Sequence, residues 1–342
     1  MAVRPAHAID GEALDAFMAG NVAAFRGPGV LREFRGGQSN PTYLIEAPSG
    51  RYVLRRKPPG RLLASAHAID REYRVISALG KCGLPVPRTF ALCDDETVIG
   101  SPFFVMDYVG GTVFWESTLP DLSADARRRV YGAMNAAIAG LHGVDIKAAG
   151  LDDFGRHENY VARQISRWSR QYRASAREKI EAMEKLIDWL PANLPDADEC
   201  AVVHGDFRLD NLIFDPATLE VAAILDWELS TLGHPASDFA YHCLPFRLPP
   251  SLFNGLKGLD LAAFGIPDEA AYIKAYCRAT GRQAMPDQDY YVVFNLFRLA
   301  AIAEGIMGRI AAGTATSQHA REMGAKARPL AETAWEMAER MG

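Results

Sequence analysis

One stretch, Val202 to Glu228, limits what this chain can fold into more than any other: VVHGDFRLDNLIFDPATLEVAAILDWE. It sets Asp206 in a His-Gly-Asp turn, Asn211 five residues on, and Asp226 at the end of a short apolar strand. The small apolar run Ala201 to Val203 leads into the turn. Leu212 to Phe214 and Val221 to Leu225 predict two strands joined by a turn around Asp215-Pro216. A hairpin of that length returns Asp226 to the side of Asn211. An ordinary hairpin with a few surface acids has no need of that coincidence, so the context lifts a short pattern to a candidate site.

Phosphoryl transfer from a nucleotide asks for these groups. One carboxylate orients the attacking hydroxyl, while an amide oxygen and a second carboxylate hold the metal that neutralises the phosphates. Protein kinases meet the need with H-R-D-x-x-x-x-N followed by a metal-binding aspartate. Here His204, Asp206 and Asn211 give H-x-D-x-x-x-x-N. Asp153-Phe154-Gly155 also spells the kinase metal motif, but it precedes His204 and lies in a break between two helical patterns. A turn explains it better, and Asp226-Trp227-Glu228 is the metal candidate.

The first third reads as β-rich. Strands are predicted at Val30 to Phe34, Thr42 to Glu46, Tyr52 to Arg56, Thr89 to Cys93 and Phe103 to Tyr108. A helix over Ala68 to Leu79 carries Ile69, Tyr73, Ile76 and Leu79 on one face. Past Gly110-Gly111 the patterns turn helical. Val130, Met134, Ile138 and Leu141 mark one helix, and Val161, Ile165, Trp168 and Tyr172 another beginning near Asn159. Tyr290 to Ile310 and Gln318 to Met341 are further helix candidates. The expectation is an α+β chain of two lobes, 1–107 binding nucleotide and 108–342 carrying the catalytic loop and substrate site, with the ligand between them.

In the first lobe, Val53-Leu54-Arg55 supplies a strand cation for the nucleotide phosphates, and Glu72 supplies the helix acid that would hold it. Arg56 and Lys57 are alternatives, although strand alternation puts Arg56 on the other face from Val53 and Arg55. Gly36, Gly37, Gln38, Ser39 and Asn40 suit a turn over phosphates, since small residues let backbone N–H groups approach. Phe103 to Gly110 reads either as an ordinary buried strand end or as an inter-lobe hinge, with backbone groups around Asp107 and Val109 placed to pair with adenine and Met106 to line its pocket.

With 342 residues, 49% of them hydrophobic and 23% charged, the chain has the composition of a soluble globular protein. Its net charge of −5 supplies no basic field for nucleic acid or membrane. Five cysteines without a C-x-x-C pair point to reduced thiols, and the N-terminal residues lack a signal-peptide core. No apolar run approaches the length needed to span a bilayer. A cytoplasmic location follows as the expectation.

The motifs GGQSN, YVLRRKPPG, DREYRVISAL, FFVMDYVGG, HGDFRLDNLIF and ILDWELSTLGHPASDFAY occur in an order that resembles the aminoglycoside phosphotransferase and choline kinase superfamily. The likeness covers roughly Leu31 to the C-terminus. It is strongest to the branch related to the N-terminal kinase-like domain of some acyl-CoA dehydrogenases. It implies a protein-kinase-like bilobal fold, with a small lobe of five antiparallel strands plus a helix and a larger, mainly helical lobe. It also implies ATP and Mg²⁺ as cofactors, Asp206 as catalytic base, Asn211 and Asp226 as metal ligands, and Arg55 on phosphate, paired with Glu72. Asp238 would brace the catalytic loop from below.

The branch implies a hydroxyacyl acceptor, and no flavin is expected. Arg163, Arg167 and Arg170 recur along one helix face, either as a solvated surface or, with Arg156 and Arg208, as a field for an acidic substrate. Asp210, Glu228 and Glu304 could serve a cationic one instead. The leading expectation is an ATP- and Mg-dependent kinase for a small-molecule hydroxyl. The alternatives are an aminoglycoside O-phosphotransferase and a catalytically silent nucleotide-binding scaffold.

Overall fold

The computed structural model describes residues 9–34, 40–58, 68–176, 178–196, 199–311 and 318–341. Helix α1 (Gly11–Asn21) opens the chain, its first turn capped by Asp10, whose carboxylate accepts the N–H groups of Glu12 and Ala13. Strands β1 (Val30–Glu33), β2 (Thr42–Ala47) and β3 (Gly50–Arg56) follow, then α2 (Ile69–Lys81), β4 (Thr89–Cys93), the single turn α3 (Glu96–Ile99) and β5 (Phe103–Asp107). The strands form one antiparallel sheet in the order β1-β2-β3-β5-β4. The five expected strands are all present, to within one or two residues at their ends.

Strand alternation divides the sheet's residues between two faces. Tyr52 and Leu54 of β3 join Phe103 and Val105 of β5 in a core that also contains Leu14 and Met18 of α1. Helix α1 escaped the sequence reading because only those two of its side chains are buried. Val53 and Arg55 point to the other face, where Phe104 meets Tyr73 of α2 edge-on at 5.9 Å. The buried stripe of α2 is wider than its apolar residues suggested, since it includes Glu72.

The helical part contains α4 (Ala124–His142), α5 (Tyr160–Ser175), α6 (Glu181–Ala192) and the short strand β6 (Ala201–Val203). The hairpin β7 (Leu212–Phe214) and β8 (Val221–Ile224) comes next, then β9 (Thr231–Gly233), which pairs antiparallel with β6. Helices α7 (Pro235–His242), α8 (Leu244–Arg247), α9 (Leu261–Phe264), α10 (Glu269–Thr280), α11 (Gln288–Ala311), α12 (Gln318–Gly324) and α13 (Ala327–Glu339) complete the chain. One core gathers Val161, Ile165 and Tyr172 of α5 with Leu186, Phe294, Leu330 and Ala334. The single helix expected over 318–341 is broken by a turn at Ala325-Lys326, where Gly324 packs closely against the Met307 side chain.

Two further expectations change. Gln288–Gly308 is long and apolar enough to cross a membrane by length and composition, yet 72% of that window is buried inside the protein. It is a core helix. The chain also divides by contacts into two compact units that differ from a single cut at 107/108. The first holds Met1–Phe114, Asp145–Asp152 and Asp210–Ser230; the second holds Trp115–Val144, Asp153–Leu209 and Thr231–Gly342. The β7–β8 hairpin belongs to the first unit because Thr112 and Phe214 exchange backbone hydrogen bonds of 2.9 and 2.8 Å, and Ile224 N–H donates to Pro85 O at 2.8 Å. Gly111 permits this docking. Its φ is +155°, and a Cβ there would sit 2.5 Å from Phe214 O.

Candidate active site

The sequence-predicted groups fall into two sets, one in each unit. In the first, Arg55 projects from β3 with 13% of its side chain exposed, and its Nε lies 2.9 Å from Oε1 and 3.1 Å from Oε2 of the buried Glu72. Its Nη2 reaches Asp226 Oδ1 at 3.3 Å and Glu228 Oε2 at 4.0 Å. Three carboxylates thus surround one guanidinium. Burial works against the charge on Arg55, but the carboxylates outweigh it and raise its pKa above the ordinary value. Burial pushes the Glu72 carboxyl up to about 7 despite Arg55, with the charges of Asp226 and Glu228 adding to the push. A surplus of negative charge is the shared setting of both shifts.

Local structure aims the two acids of Asp226-Trp227-Glu228. Trp227 is buried and anchors the segment by donating Nε1–H to Ile224 O at 2.9 Å. Asp226 has φ 65° and ψ 62°, a left-handed conformation that a short polar side chain tolerates, and it precedes the single 3₁₀ turn Trp227–Leu229. Asn211 ends another 3₁₀ turn, Leu209–Asn211. Its carbonyl accepts Leu225 N–H at 2.8 Å, so the hairpin does return Asp226 to the side of Asn211. Glu228, expected at the substrate, faces Arg55 in this unit.

No cluster of three or more His, Cys, Asp or Glu side chains able to hold a metal exists among the described residues. A divalent cation here would rest on Asp226 and the Asn211 amide, completed by water and phosphate oxygens. That donor set, beside surplus negative charge, fits Mg²⁺, which keeps several waters and few protein ligands.

The other nucleotide groups are less complete. Gly36, Gly37, Gln38 and Ser39 lie outside the described residues. Asn40 is buried, and its carbonyl accepts Thr42 Oγ1–H at 3.0 Å. Met106 is buried on β5, and Val109 is half-buried. The Asp107 N–H donates to Arg88 O at 2.8 Å, so this donor is already engaged within the unit. Arg56, the register alternative, is buried elsewhere with Nε on Ser101 Oγ at 2.9 Å.

In the second unit, β6 delivers the His204-Gly205-Asp206-Phe207 turn, with His204 and Phe207 fully buried. Asp238 of α7 accepts His204 N–H and Gly205 N–H, both at 2.8 Å. His142 Nε2 lies 3.2 Å from Asp238 Oδ2, and His142 Nδ1 lies 2.6 Å from Tyr276 Oη. Burial alone would raise the Asp238 carboxyl, but the hydrogen bonds and charges of His142 and His204 hold it below the ordinary carboxylate value. Asp206 keeps 22% of its side chain exposed, with Arg208 Nε 3.6 Å from its Oδ2. Tyr241 donates its O–H to Asp206 Oδ1. Arg298 of α11 donates to Gly205 O, and its guanidinium carbon lies 5.1 Å over the Tyr241 ring. Sequence reading missed Tyr241, Arg298 and His142, although Tyr241 stands three residues after Asp238 and so on the same helix face.

The remaining candidates have local surroundings. Arg163 Nη2 donates to Arg156 O at 3.1 Å, Arg167 lies 5.0 Å over the Trp168 ring, and Arg170 is exposed. Asp210 is half-buried beside Asn211 in the 3₁₀ turn. Glu304 lines a cavity of about 250 Å³ with Ile180, Met307 and Arg328. Asp153-Phe154-Gly155 is a packing turn: Phe154 is buried, and a Cβ on Gly155 would sit 2.8 Å from Leu232 N.

Residues 30–290 match the model of the phosphotransferase enzyme family, and the chain belongs to that family. It is a protein-kinase-like, small-molecule phosphotransferase by fold and family. Mouse acyl-CoA dehydrogenase family member 10 is 43% identical over 343 residues, covering 99% of this chain but 32% of the relative. Human acyl-CoA dehydrogenase family member 11 is 38% identical, covering 99% of this chain and 44% of the relative. The chain therefore spans about a third to under half of the curated relatives it matches. A crystal structure from Ralstonia eutropha, provisionally described as an aminoglycoside phosphotransferase, superposes with a TM-score of 0.91 at 48% identity, covering 97% of this chain and 99% of that one. A choline kinase from Cryptosporidium parvum shares the fold alone, at 11% identity and a TM-score of 0.68 over 97% of each chain.

Proposed function

We propose that the chain is an ATP- and Mg²⁺-dependent kinase that phosphorylates a hydroxyl of a small acidic metabolite, of hydroxyacyl type. The observation that carries the nucleotide half is the buried Arg55–Glu72 pair at 2.9 Å, turned toward Asp226 beside Asn211. The nucleotide is supported as co-substrate because spectinomycin phosphotransferase, a fold neighbour at 12% identity, was solved with ADP. Mg²⁺ bound at Asn211 and Asp226 would neutralise phosphate charge as the γ-phosphoryl group moves.

Arg55 binds phosphate oxygens through its exposed edge while Glu72 keeps its fork oriented. Asp206 accepts the proton of the acceptor hydroxyl. That oxygen forms the new bond to the γ-phosphorus, and the bond to the β,γ-bridging oxygen breaks with its electron pair leaving on ADP. Rate comes from positioning and from fixed charge, with no covalent enzyme intermediate.

The acceptor class rests on two supports. The relatives named acyl-CoA dehydrogenases match this chain from end to end. Arg208, 3.6 Å from Asp206, sets a cation beside the base, which suits an acidic acceptor and repels a polycation. The description of the Ralstonia structure favours the aminoglycoside reading, so both belong in one test. ADP formation is measured with Mg²⁺ and ATP across hydroxyacyl-CoA esters, hydroxy acids, sugars, choline and aminoglycosides, with Asp206→Asn as control. Turnover confined to hydroxyacyl compounds and lost in the variant is the expected result. Turnover on aminoglycosides alone overturns the acceptor assignment. ATP binding without transfer to any acceptor favours a silent scaffold.

A further inference from the structure

Helix α7 grips the catalytic turn at two points. Asp238 accepts the backbone N–H groups of His204 and Gly205. One helical turn on, Tyr241 donates its O–H to the Asp206 side chain. Residues three apart share a helix face, so the sequence Asp-Phe-Ala-Tyr delivers a backbone brace and a side-chain donor to one tripeptide. Tyr241 is buried, and Phe would fill the same volume without the hydroxyl. A buried phenol requires a partner, and the partner chosen here is the carboxylate read as the base.

A second element locks that choice. Arg298 is buried on α11, donates to Gly205 O and places its guanidinium 5.1 Å over the Tyr241 ring. One side chain therefore ties the ring to the backbone of the residue preceding Asp206. Burial and the adjacent Asp206 charge both raise the Tyr241 phenol, which keeps its proton and remains a donor throughout the working pH range.

Building on the reading of Asp206 as base, we infer that Tyr241 is a positioning residue for that carboxylate. Its O–H holds Oδ1, fixing the carboxylate plane and the oxygen offered to the acceptor. Tyr241 touches no reacting atom. It acts through Asp206.

The test needs no acceptor. The full chain is labelled with carboxyl-¹³C aspartate, and the Asp206 resonance is assigned by its loss in Asp206→Asn. Wild type and Tyr241→Phe are then compared at one neutral pH without nucleotide, with thermal unfolding confirming that the variant is folded. The Asp206 resonance is expected to move in Tyr241→Phe, since the ring stays and only the hydroxyl donor is lost. A tyrosine that merely fills space would leave it in place, and an unmoved resonance overturns the inference. With an acceptor in hand, kcat falls on the order of tenfold and the KM for ATP stays level; unchanged kcat also counts against the role. Full turnover by Asp206→Asn would remove the base assignment instead, while the moved resonance would still report the tyrosine–aspartate bond.

Discussion

Replacing Asp238 with asparagine tests whether the catalytic turn is held by a charge or merely by packing. The carboxylate uses both oxygens: Oδ1 accepts Gly205 N–H at 2.8 Å, while Oδ2 accepts His204 N–H at 2.8 Å and faces His142 Nε2 at 3.2 Å. An amide has one acceptor oxygen, so whichever way it is turned its NH₂ must face a backbone N–H. The better choice keeps the Oδ2 partners and sets NH₂ against Gly205 N–H. One charge-assisted hydrogen bond is then lost and a buried donor is left unpaired, which together cost about 2–4 kcal/mol. Gly205 shifts, and Asp206 shifts with it. A displacement near 1 Å at the base lowers turnover on the order of a hundredfold. Urea unfolding of the free protein reads the first quantity, and kcat on the acceptor identified by the panel reads the second. Stability within about 0.5 kcal/mol of wild type together with unaltered kcat would refute the reasoning, because surface substitutions behave that way.

Asp226→Asn leaves Arg55 paired with Glu72 but removes the proposed Mg²⁺ ligand, so turnover falls by two orders of magnitude or more and the Mg²⁺ concentration needed for half-activity rises; steady-state rates against Mg²⁺ check both. Arg55→Lys keeps a cation but loses the fork that meets Glu72 and Asp226 together, and the KM for ATP rises about tenfold in the same assay. Gly111→Ala destabilises by about 1–3 kcal/mol in urea unfolding, since its Cβ would lie 2.5 Å from Phe214 O at a φ of +155°. Acid weakens the fold through His242, which burial pushes down to about 4. The unfolded chain, with its histidine near 6.5, takes the proton first, so this share of stability is present above pH 6.5 and lost as pH falls toward 4. It amounts to roughly 3 kcal/mol, and His242→Gln flattens that portion of the stability–pH curve.

The fold and much of the site were legible where residue pattern and chemistry coincide. The five strands announce themselves by alternation between turn residues, and Arg55 and Glu72 by their places on a strand and the following helix. The hairpin was readable because its length alone returns Asp226 to Asn211. Helix α1 was not, because two buried side chains leave a faint stripe. The contact units differ from the expected cut at 107/108 for a different reason: the hairpin joins the first unit through backbone hydrogen bonds with Thr112 and Pro85, and no side-chain pattern records those. Tyr241 and Arg298 were passed over because a buried Tyr or Arg in an apolar helix reads as packing. Only the partner's position shows otherwise.

Two different physical devices set the charged groups of this chain. In the first unit a planar guanidinium divides its edges, Nε toward Glu72 and Nη2 toward Asp226 and Glu228. A lysine ammonium has no such edges, so arginine at position 55 ties the helix acid and the hairpin acids to one rigid fork. The three acids leave the cluster short of positive charge, the condition under which an added cation gains most. In the second unit the charge is treated in the opposite way. Asp238 is buried and satisfied by the backbone it braces, so its negative charge is consumed locally. Asp206, three residues past the end of β6, keeps part of its surface exposed and takes its orientation from neutral Tyr241 and cationic Arg208. Under the proposed function the first cluster draws in the cation that carries the phosphates, and the second supplies a carboxylate held by a few fixed donors. The hairpin and helix α7 answer those separate demands, and along the chain only Phe207, Arg208 and Leu209 separate Asp206 from the segment that begins at Asp210.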